Sequence, residues 1–249
     1  MKEKRHKGVS FKVWARHALF TDPLTRVGGE KCSYHVPTYE ALKGIVKSVY
    51  WKPTFIWIID EVRVMKRIRT QTKGTKPIAY SGGNDLAIYT FLTDVEYQVR
   101  AHFEWNEHRP ELESDRNPGK HFAVAQRMLE LGGRQDIFLG TRDCQGYVEP
   151  CEYGAGVGEY DEAGKLAYGL MFHGFDYPDE TGEDKLNARF WRPTMVNGVI
   201  RFPHPKEKDH AIRKFIRDMK PKQFVRDENL RAVDLEVAEL QLEVGDGLD

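Results

Sequence analysis

Apolar residues alternate with polar ones through Val9-Ser10-Phe11-Lys12-Val13-Trp14-Ala15-Arg16, the period-two pattern of a half-buried strand. Leu19–Glu30 breaks the alternation with Asp22-Pro23 and Gly28-Gly29 and reads as a loop. Between Ser33 and Pro53 the period changes. Tyr39, Leu42, Val46, Val49 and Tyr50 recur at helical spacing, Pro37 suits a first helical position where no N–H is needed, and Pro53 stops the helix. Thr54–Val64 opens on FIWIID, rich in β-formers and too short to span a membrane, and reads as a buried strand. Lys66–Asn84 is basic and polar, a projecting hairpin or loop. Alternation resumes over Ala87–Trp105, with Val95, Tyr97, Val99, Ala101, Phe103 and Trp105 in phase. After a turn-rich stretch, His108–Pro118, the pair Asn117-Pro118 announces a second helix, with Asn as cap and Pro in the first turn. Its apolar side is Phe122, Ala125, Met128, Leu129 and Leu131, and Gly132-Gly133 ends it. Asp136–Leu139 is a short strand. Residues 1–140 therefore read β-α-β-β-α-β, an α+β, ferredoxin-like (RRM-like) domain. Many RNA-binding domains share that order, but a fold alone does not set a function.

Beyond it, Tyr147–Glu152, Lys165–Tyr177, Leu186–Met195 and Val199–Phe202 read as strands, with Asn197-Gly198 a strong hairpin turn. These make residues 141–222 a C-terminal antiparallel β-sheet extension, with a short helix expected at Ala211–Met219. Residues 223–249 are an acidic tail, whose composition leaves its order open: from Asp227 it holds 8 acids and one base, Arg231.

Composition narrows the class. The 249 residues are 40% apolar and 31% charged, which suits a soluble globular protein with a real core. No apolar run reaches membrane-spanning length and MKEKRHKGVS lacks a signal-peptide apolar region, so no membrane association and a cytoplasmic location are expected. Three cysteines, Cys32, Cys144 and Cys151, do not make a disulfide framework. The net charge of zero hides an asymmetry: residues 1–80 carry 17 Lys+Arg against 6 Asp+Glu, a net +11, and residues 81–249 carry −11. A basic half offers a face to a polyanion, and an acidic excess serves solubility equally well.

Several motifs dissolve on inspection. Gly154-Ala155-Gly156-Val157-Gly158 has neither the spacing nor the strand-to-helix context of a dinucleotide fingerprint. Gly158…Gly164-Lys165 is one residue too long for a phosphate loop, and Leu166 stands where Ser or Thr is needed. Cys144 and Cys151 read as ordinary thiols rather than zinc ligands, and neither metal nor cofactor is expected. Two stretches keep chemical interest. Tyr50 ends the first helix beside Lys47 and Lys52, where it either caps the core edge or touches a polyanion. Arg116-Asn117-Pro118-Gly119-Lys120-His121 puts Lys120 and His121 in the first turn of the second helix, a seat for phosphate or simply a solvated helix end. Lys supplies charge and His moves protons near neutrality, the parts needed to cut RNA without metal.

FTDPLTRVGGEKCSYHVPTYEALKGIVKSVYWKP, DRNPGKH, GGRQDIFLGTRDCQGYVEPCEYG and HGFDYPDETG together resemble the Cas-five subunit of subtype I-C CRISPR–Cas systems, over about residues 8–205. The resemblance implies a ferredoxin-like domain with a C-terminal β extension. It also implies an endoribonuclease that cuts CRISPR precursor RNA and then stays on the 5′ end of the mature guide RNA, beside the backbone and large subunits of the interference complex. The family's catalytic Tyr, Lys and His fall on Tyr50, Lys120 and His121, and its RNA-contacting hairpin falls on Lys66–Asn84 with Lys66, Arg67, Arg69, Lys73 and Lys76. Lys47, Lys52 and Arg116 complete the expected RNA-binding set. Two other classes compete: a structural RNA-binding subunit that does not cut, and a general binder that also holds duplex DNA through the basic half. The shared site makes a geometric demand. Tyr50 and His121 must lie together although 71 residues separate them.

Overall fold

A computed structural model describes residues 8–207 and 212–222. The basic N-terminal residues and the acidic tail, 223–249, lie outside the described residues. In chain order the elements are β1 (Val9–Ala18), α1 (Pro23–Arg26), α2 (Tyr39–Val49), β2 (Phe55–Val64), β3 (Thr70–Thr75), β4 (Ile78–Ala79), β5 (Gly83–Asn84), β6 (Ala87–Trp105), a 3₁₀ turn (Pro110–Asp115), α3 (Pro118–Glu130), β7 (Ile137–Phe138), β8 (Gln145–Pro150), β9 (Lys165–Ala167), β10 (Met171–Asp176), α4 (Pro178–Thr181), β11 (Lys185–Trp191), β12 (Thr194–Val196), β13 (Val199–Arg201) and β14 (Ile212–Asp218).

The chain is a mixed α/β protein dominated by antiparallel strands. The main sheet runs β7-β8-β1-β6-β2-β13-β12-β9, with β3 also paired to the start of β6. β1 lies antiparallel to both β6 and β8, with Val13 opposite Tyr97 on one side and Val148 on the other. In-phase residues Phe11, Val13, Val99, Ala101, Phe103, Phe55, Trp57 and Ile59 form the core, and α2 presses Tyr39, Leu42, Ile45, Val46 and Val49 into it. Each such side chain contributes about 1.5–3 kcal/mol on burial. α3 adds Ala125 and Leu129, while Leu131 stands 69% exposed as the residue that caps the helix. A bulge between Ile59 and Glu61 shifts the β2 register, so the core phase resumes at Val62 and Val64.

α2 starts two residues later than the proline suggested: Tyr39 is the first helical residue and Thr38 is the N-cap, its side chain accepting from the Ala41 N–H at 3.2 Å. The strand beside β1 is also not the one expected. Ile137–Phe138 is a strand, but it pairs on the outside of β8, and Gln145–Pro150 takes the place next to β1. The four-stranded unit therefore closes at Pro150 rather than within the first 140 residues. The reason lies at Gly140, where a Cβ would stand 1.9 Å from the Leu19 carbonyl oxygen and φ is +99°. Only glycine turns there, and it folds Ile137–Phe138 back over β8.

The C-terminal strands split between two sheets. β12 and β13 form the hairpin foreseen at Asn197-Gly198, whose φ values of +46° and +79° suit the tight turn, and β13 extends the main sheet along β2. β10, β11 and β14 form a second, three-stranded sheet. The short helix expected over Ala211–Met219 is instead strand β14; residue 211 itself is outside the described residues. The open edge of β11 supplies a hydrogen-bonding ladder that local helix preference cannot match. This sheet docks on α2 where His173 of β10 stacks on Tyr39 with ring centroids 4.3 Å apart. α4, between β10 and β11, adds Glu180, whose Oε2 lies 2.5 Å from the Nζ of Lys43, 1% exposed.

Candidate active site where two helices meet

Tyr50 is the C-cap of α2. Its backbone turns extended (φ −161°, ψ 131°), its N–H still bonds the Val46 carbonyl, and its own carbonyl accepts from Trp57 Nε1 at 2.7 Å. These bonds fix the start of the side chain. At α3 the Asn117 side chain accepts from the Lys120 N–H at 3.0 Å and Pro118 has no N–H to give. The first turn is thus largely capped by its own sequence, and it offers an anion fewer backbone donors than the motif suggested.

The two helix ends bring the distant pair together. Tyr50 Oη lies 2.8 Å from His121 Nδ1, and His121 Nε2 lies 2.7 Å from the Asp115 main-chain oxygen. A carbonyl only accepts, so Nε2 carries a proton; in the neutral tautomer Nδ1 is then the acceptor and the Tyr50 hydroxyl donates to it. Phe55, Phe103 and Trp105 wall the imidazole with ring centroids 5.2, 6.3 and 5.8 Å away. His121 is 0% exposed and Tyr50 4%. The imidazole is thus enclosed, with Tyr50 against one nitrogen and Asp115 against the other.

Lys120 is the exposed member. Its Nζ lies 2.8 Å from Asp115 Oδ1, and Thr54 Oγ1 donates to Oδ2 at 2.8 Å. The Lys120 hydrogen bond is the main cause that holds the Asp115 carboxyl below its ordinary range, and the same contact pushes the Lys120 ammonium up. Burial pushes the Tyr50 phenol up and the Asp115 charge adds to that, while Lys120 and Arg134 pull it back. The arrangement can pass a proton from the phenol to the imidazole, and it places one cation beside the phenol.

The other expected contacts scatter. Lys52, Arg67, Arg69 and Lys76 are exposed. Lys66 pairs with Asp94 at 2.8 Å, and Lys73 Nζ lies 2.5 Å from His17 Nε2. Lys47 pairs with Glu180 at 3.4 Å, and Arg116 with Glu107 at 3.3 Å and the Asn106 carbonyl. Lys73 rides on β3 opposite Tyr89 near the start of β6, with Arg69 and Lys76 flanking that strand, whereas His121 packs against Trp105 at the end of β6. Tyr89 and Trp105 are sixteen residues apart on β6, at most about 50 Å at 3.3 Å per residue, and Asp94 bends the strand between them with a φ of +52°. A cavity of about 780 Å³, lined by Asp60, His102, Glu104 and His204 among others, includes none of Tyr50, Lys120 and His121. Cys32, Cys144 and Cys151 are free thiols, with Cys144 and Cys151 pushed up by burial. No helix among the described residues is long and apolar enough to cross a membrane.

Residues 8–203 match the family described as CRISPR-associated protein (Cas_Cas5), Cas_Cas5d. The chain belongs to the Cas5d family. Two relatives are named CRISPR pre-crRNA endoribonuclease Cas5d. The one from Thermus thermophilus is 28% identical over 193 residues, covering 73% of this chain and 78% of the relative. The one from Mannheimia succiniciproducens is 26% identical over 230 residues, covering 77% and 92%. A solved structure titled as a CRISPR-associated protein is 37% identical, covers 84% of this chain and 97% of its own, and superposes with a TM-score of 0.71. A Streptococcus mutans protein described as functionally uncharacterized, SMU1763c, is also 37% identical, covers 84% and 98%, and gives 0.69.

In this Cas5d chain the sequence reading missed Asp115 and Thr54, the residues that hold Lys120 and His121 in place. Asp115 opens the DRNPGKH motif, so its closeness to the helix start was visible. That its carbonyl, at 2.7 Å from Nε2, orients the imidazole, with carboxylate Oδ2 farther off at 3.5 Å, follows from the 3₁₀ turn and had no sequence signal.

Proposed function

We propose that this Cas5d chain is a CRISPR pre-crRNA endoribonuclease that cuts by attack of a 2′-hydroxyl on the neighbouring phosphate, without a metal ion. The observation that carries the reading is the 2.8 Å contact between Tyr50 Oη and His121 Nδ1. The names of its relatives supply the substrate class. The attacking 2′-hydroxyl gives its proton to the Tyr50 oxygen as the Tyr50 proton moves to Nδ1. The 2′ oxygen bonds to phosphorus, the bond to the 5′ oxygen breaks, that oxygen takes up a proton from water, and the imidazolium gives its proton back through Tyr50. The products are a 2′,3′-cyclic phosphate and a 5′-hydroxyl. Lys120 uses one N–H on Asp115 and has two left for the phosphorane. His121 acts through Tyr50, so the phenol is the group that meets the RNA.

The strand order β8-β1-β6-β2, antiparallel throughout, with α2 and α3 in one core, supports a ferredoxin-like reading of the main unit. Continued hold on the guide's 5′ end, assembly with the backbone and large subunits, a cytoplasmic location and any grip on duplex DNA belong to the same proposal. One observation favours a non-cutting RNA-binding subunit instead: His121 is wholly buried with both nitrogens bonded. Incubation with repeat RNA separates the two. Cleavage in chelator, with cyclic-phosphate ends, and its loss on a 2′-deoxy substitution just upstream of the cut, support the enzyme. Binding without cutting supports the subunit, and activity restored by magnesium refutes the metal-free mechanism.

A further inference from the structure

We infer that Arg134 is a second cation of the active site and contacts the phosphate at the cut. The inference rests on the endoribonuclease reading. α3 ends at Glu130, and Gly132 and Gly133, with φ of +81° and +105°, turn the chain back towards α2. A Cβ on Gly133 would meet Gln135 O and Ile137 Cδ1 at 3.2 Å, so the turn is closely fitted. The returning strand then clamps the last turn of α2: the Arg134 N–H bonds the Val49 carbonyl at 3.3 Å and the Gln135 N–H bonds the Ser48 carbonyl at 3.0 Å. Tyr50 is the next residue. Arg134 is exposed and makes no ion pair among the described residues.

The charge balance needs such a group. Lys120 is paired with Asp115 at 2.8 Å, and His121 is wholly buried behind Tyr50. The carbonyl end of α2, with its partial negative charge, points at the same spot. A phosphodiester adds one negative charge and the phosphorane another. Arg134, held by its backbone against the residue before Tyr50, is a cation that no carboxylate has claimed, as is Lys52, two residues beyond Tyr50; of the two it is Arg134 whose positive charge opposes the rise of the phenol pKa. A guanidinium fork also matches two phosphate oxygens at once.

Single-turnover cleavage of repeat RNA by the full chain tests this, with Arg134→Ala, Arg134→Lys and the wild type side by side. Arg134→Ala is expected to slow the chemical step by about a hundredfold, the scale for losing one stabiliser of transition-state charge. Added guanidinium ion is expected to restore part of the rate, with sodium chloride at equal ionic strength giving none, and Arg134→Lys is expected to fall between. A structural arginine gives no guanidinium rescue. Wild-type cleavage with an equally active Arg134→Ala, or a slow variant that guanidinium leaves slow, overturns the assignment of Arg134 alone. A wild type that binds the repeat and does not cut it overturns the enzyme reading and Arg134 with it.

Discussion

Replacing Tyr50 with Phe removes a single oxygen and divides the two readings of the site. The ring keeps its packing, 5.6 Å from Phe55 between centroids. What changes is His121 Nδ1, an acceptor in a fully buried imidazole that loses its donor. Leaving one buried polar atom unpaired costs about 1–3 kcal/mol. A domain of this size holds about 5–15 kcal/mol, so Tyr50→Phe stays folded at 25 °C. Its Tm should drop by about 2–4 °C for each kcal/mol. Both readings share that loss. They part on rate: with Tyr50 passing the proton, cleavage at saturating protein should fall by about a hundredfold or more. Urea unfolding gives the first quantity and single-turnover quench with protein in excess gives the second. A variant that loses stability as calculated, yet cuts within about threefold of the wild type, refutes the proton path through the phenol.

Asp115→Asn removes the charge that holds Lys120 but keeps the carbonyl that orients His121, so it should tighten binding of 2′-deoxy repeat RNA and slow cleavage less than Tyr50→Phe does; a loss as large as that of Tyr50→Phe would place the carboxylate in the proton path. Reversing Lys73 and Lys76 should weaken RNA binding and lower the salt slope by about 1.4–1.8, with the rate at saturation unchanged because the hairpin lies far from Tyr50. His102 is pushed up to about 9: burial opposes its charge, but Asp60 at 2.9 Å and Glu104 outweigh it. Its folded pKa exceeds the unfolded value, so this contribution, bounded by about 3 kcal/mol, is complete below pH ~6.5 and fades as pH rises to about 9. His102→Gln should flatten stability against pH across that window in urea titrations, and an unchanged slope would show the charge to be elsewhere.

Periodicity made the helices and long strands legible because their burial is regular: Tyr39, Leu42, Val46 and Val49 lie where the helical spacing puts them. It failed where long-range pairing decides. Ile137–Phe138 and Gln145–Pro150 are both good strands by composition, and only the glycine turn at 140 says which lies beside β1. Ile212–Asp218 is helical or extended by local preference, and the waiting edge of β11 settles it. At the site, residue types and helix ends placed Tyr50 and His121 together, and the distance bears that out. Burial was not legible. The ring box of Phe55, Phe103 and Trp105 comes from three strand positions with no local link to His121, and it turns a group expected to face RNA into one that works from behind.

That inversion has a physical logic. An exposed imidazole exchanges protons with water and adopts several rotamers, whereas this one has both nitrogens committed. The carbonyl on Nε2 fixes the tautomer, so the only acceptor left is the one aimed at Tyr50. A phenol with a raised pKa is a poor base alone, because its anion is costly in a buried setting. Coupled to a basic nitrogen 2.8 Å behind it, it can take a substrate proton while giving up its own and need not bear the full charge of the anion. On the proposed mechanism the same coupling would let grip and chemistry sit at opposite ends of β6. The cut requires local geometry from two helix ends and one loop, while affinity comes from dispersed phosphate contacts. On that mechanism, charge on the hairpin would adjust how long RNA stays, and the Tyr50–His121–Asp115 chain would adjust what happens once the phosphate arrives.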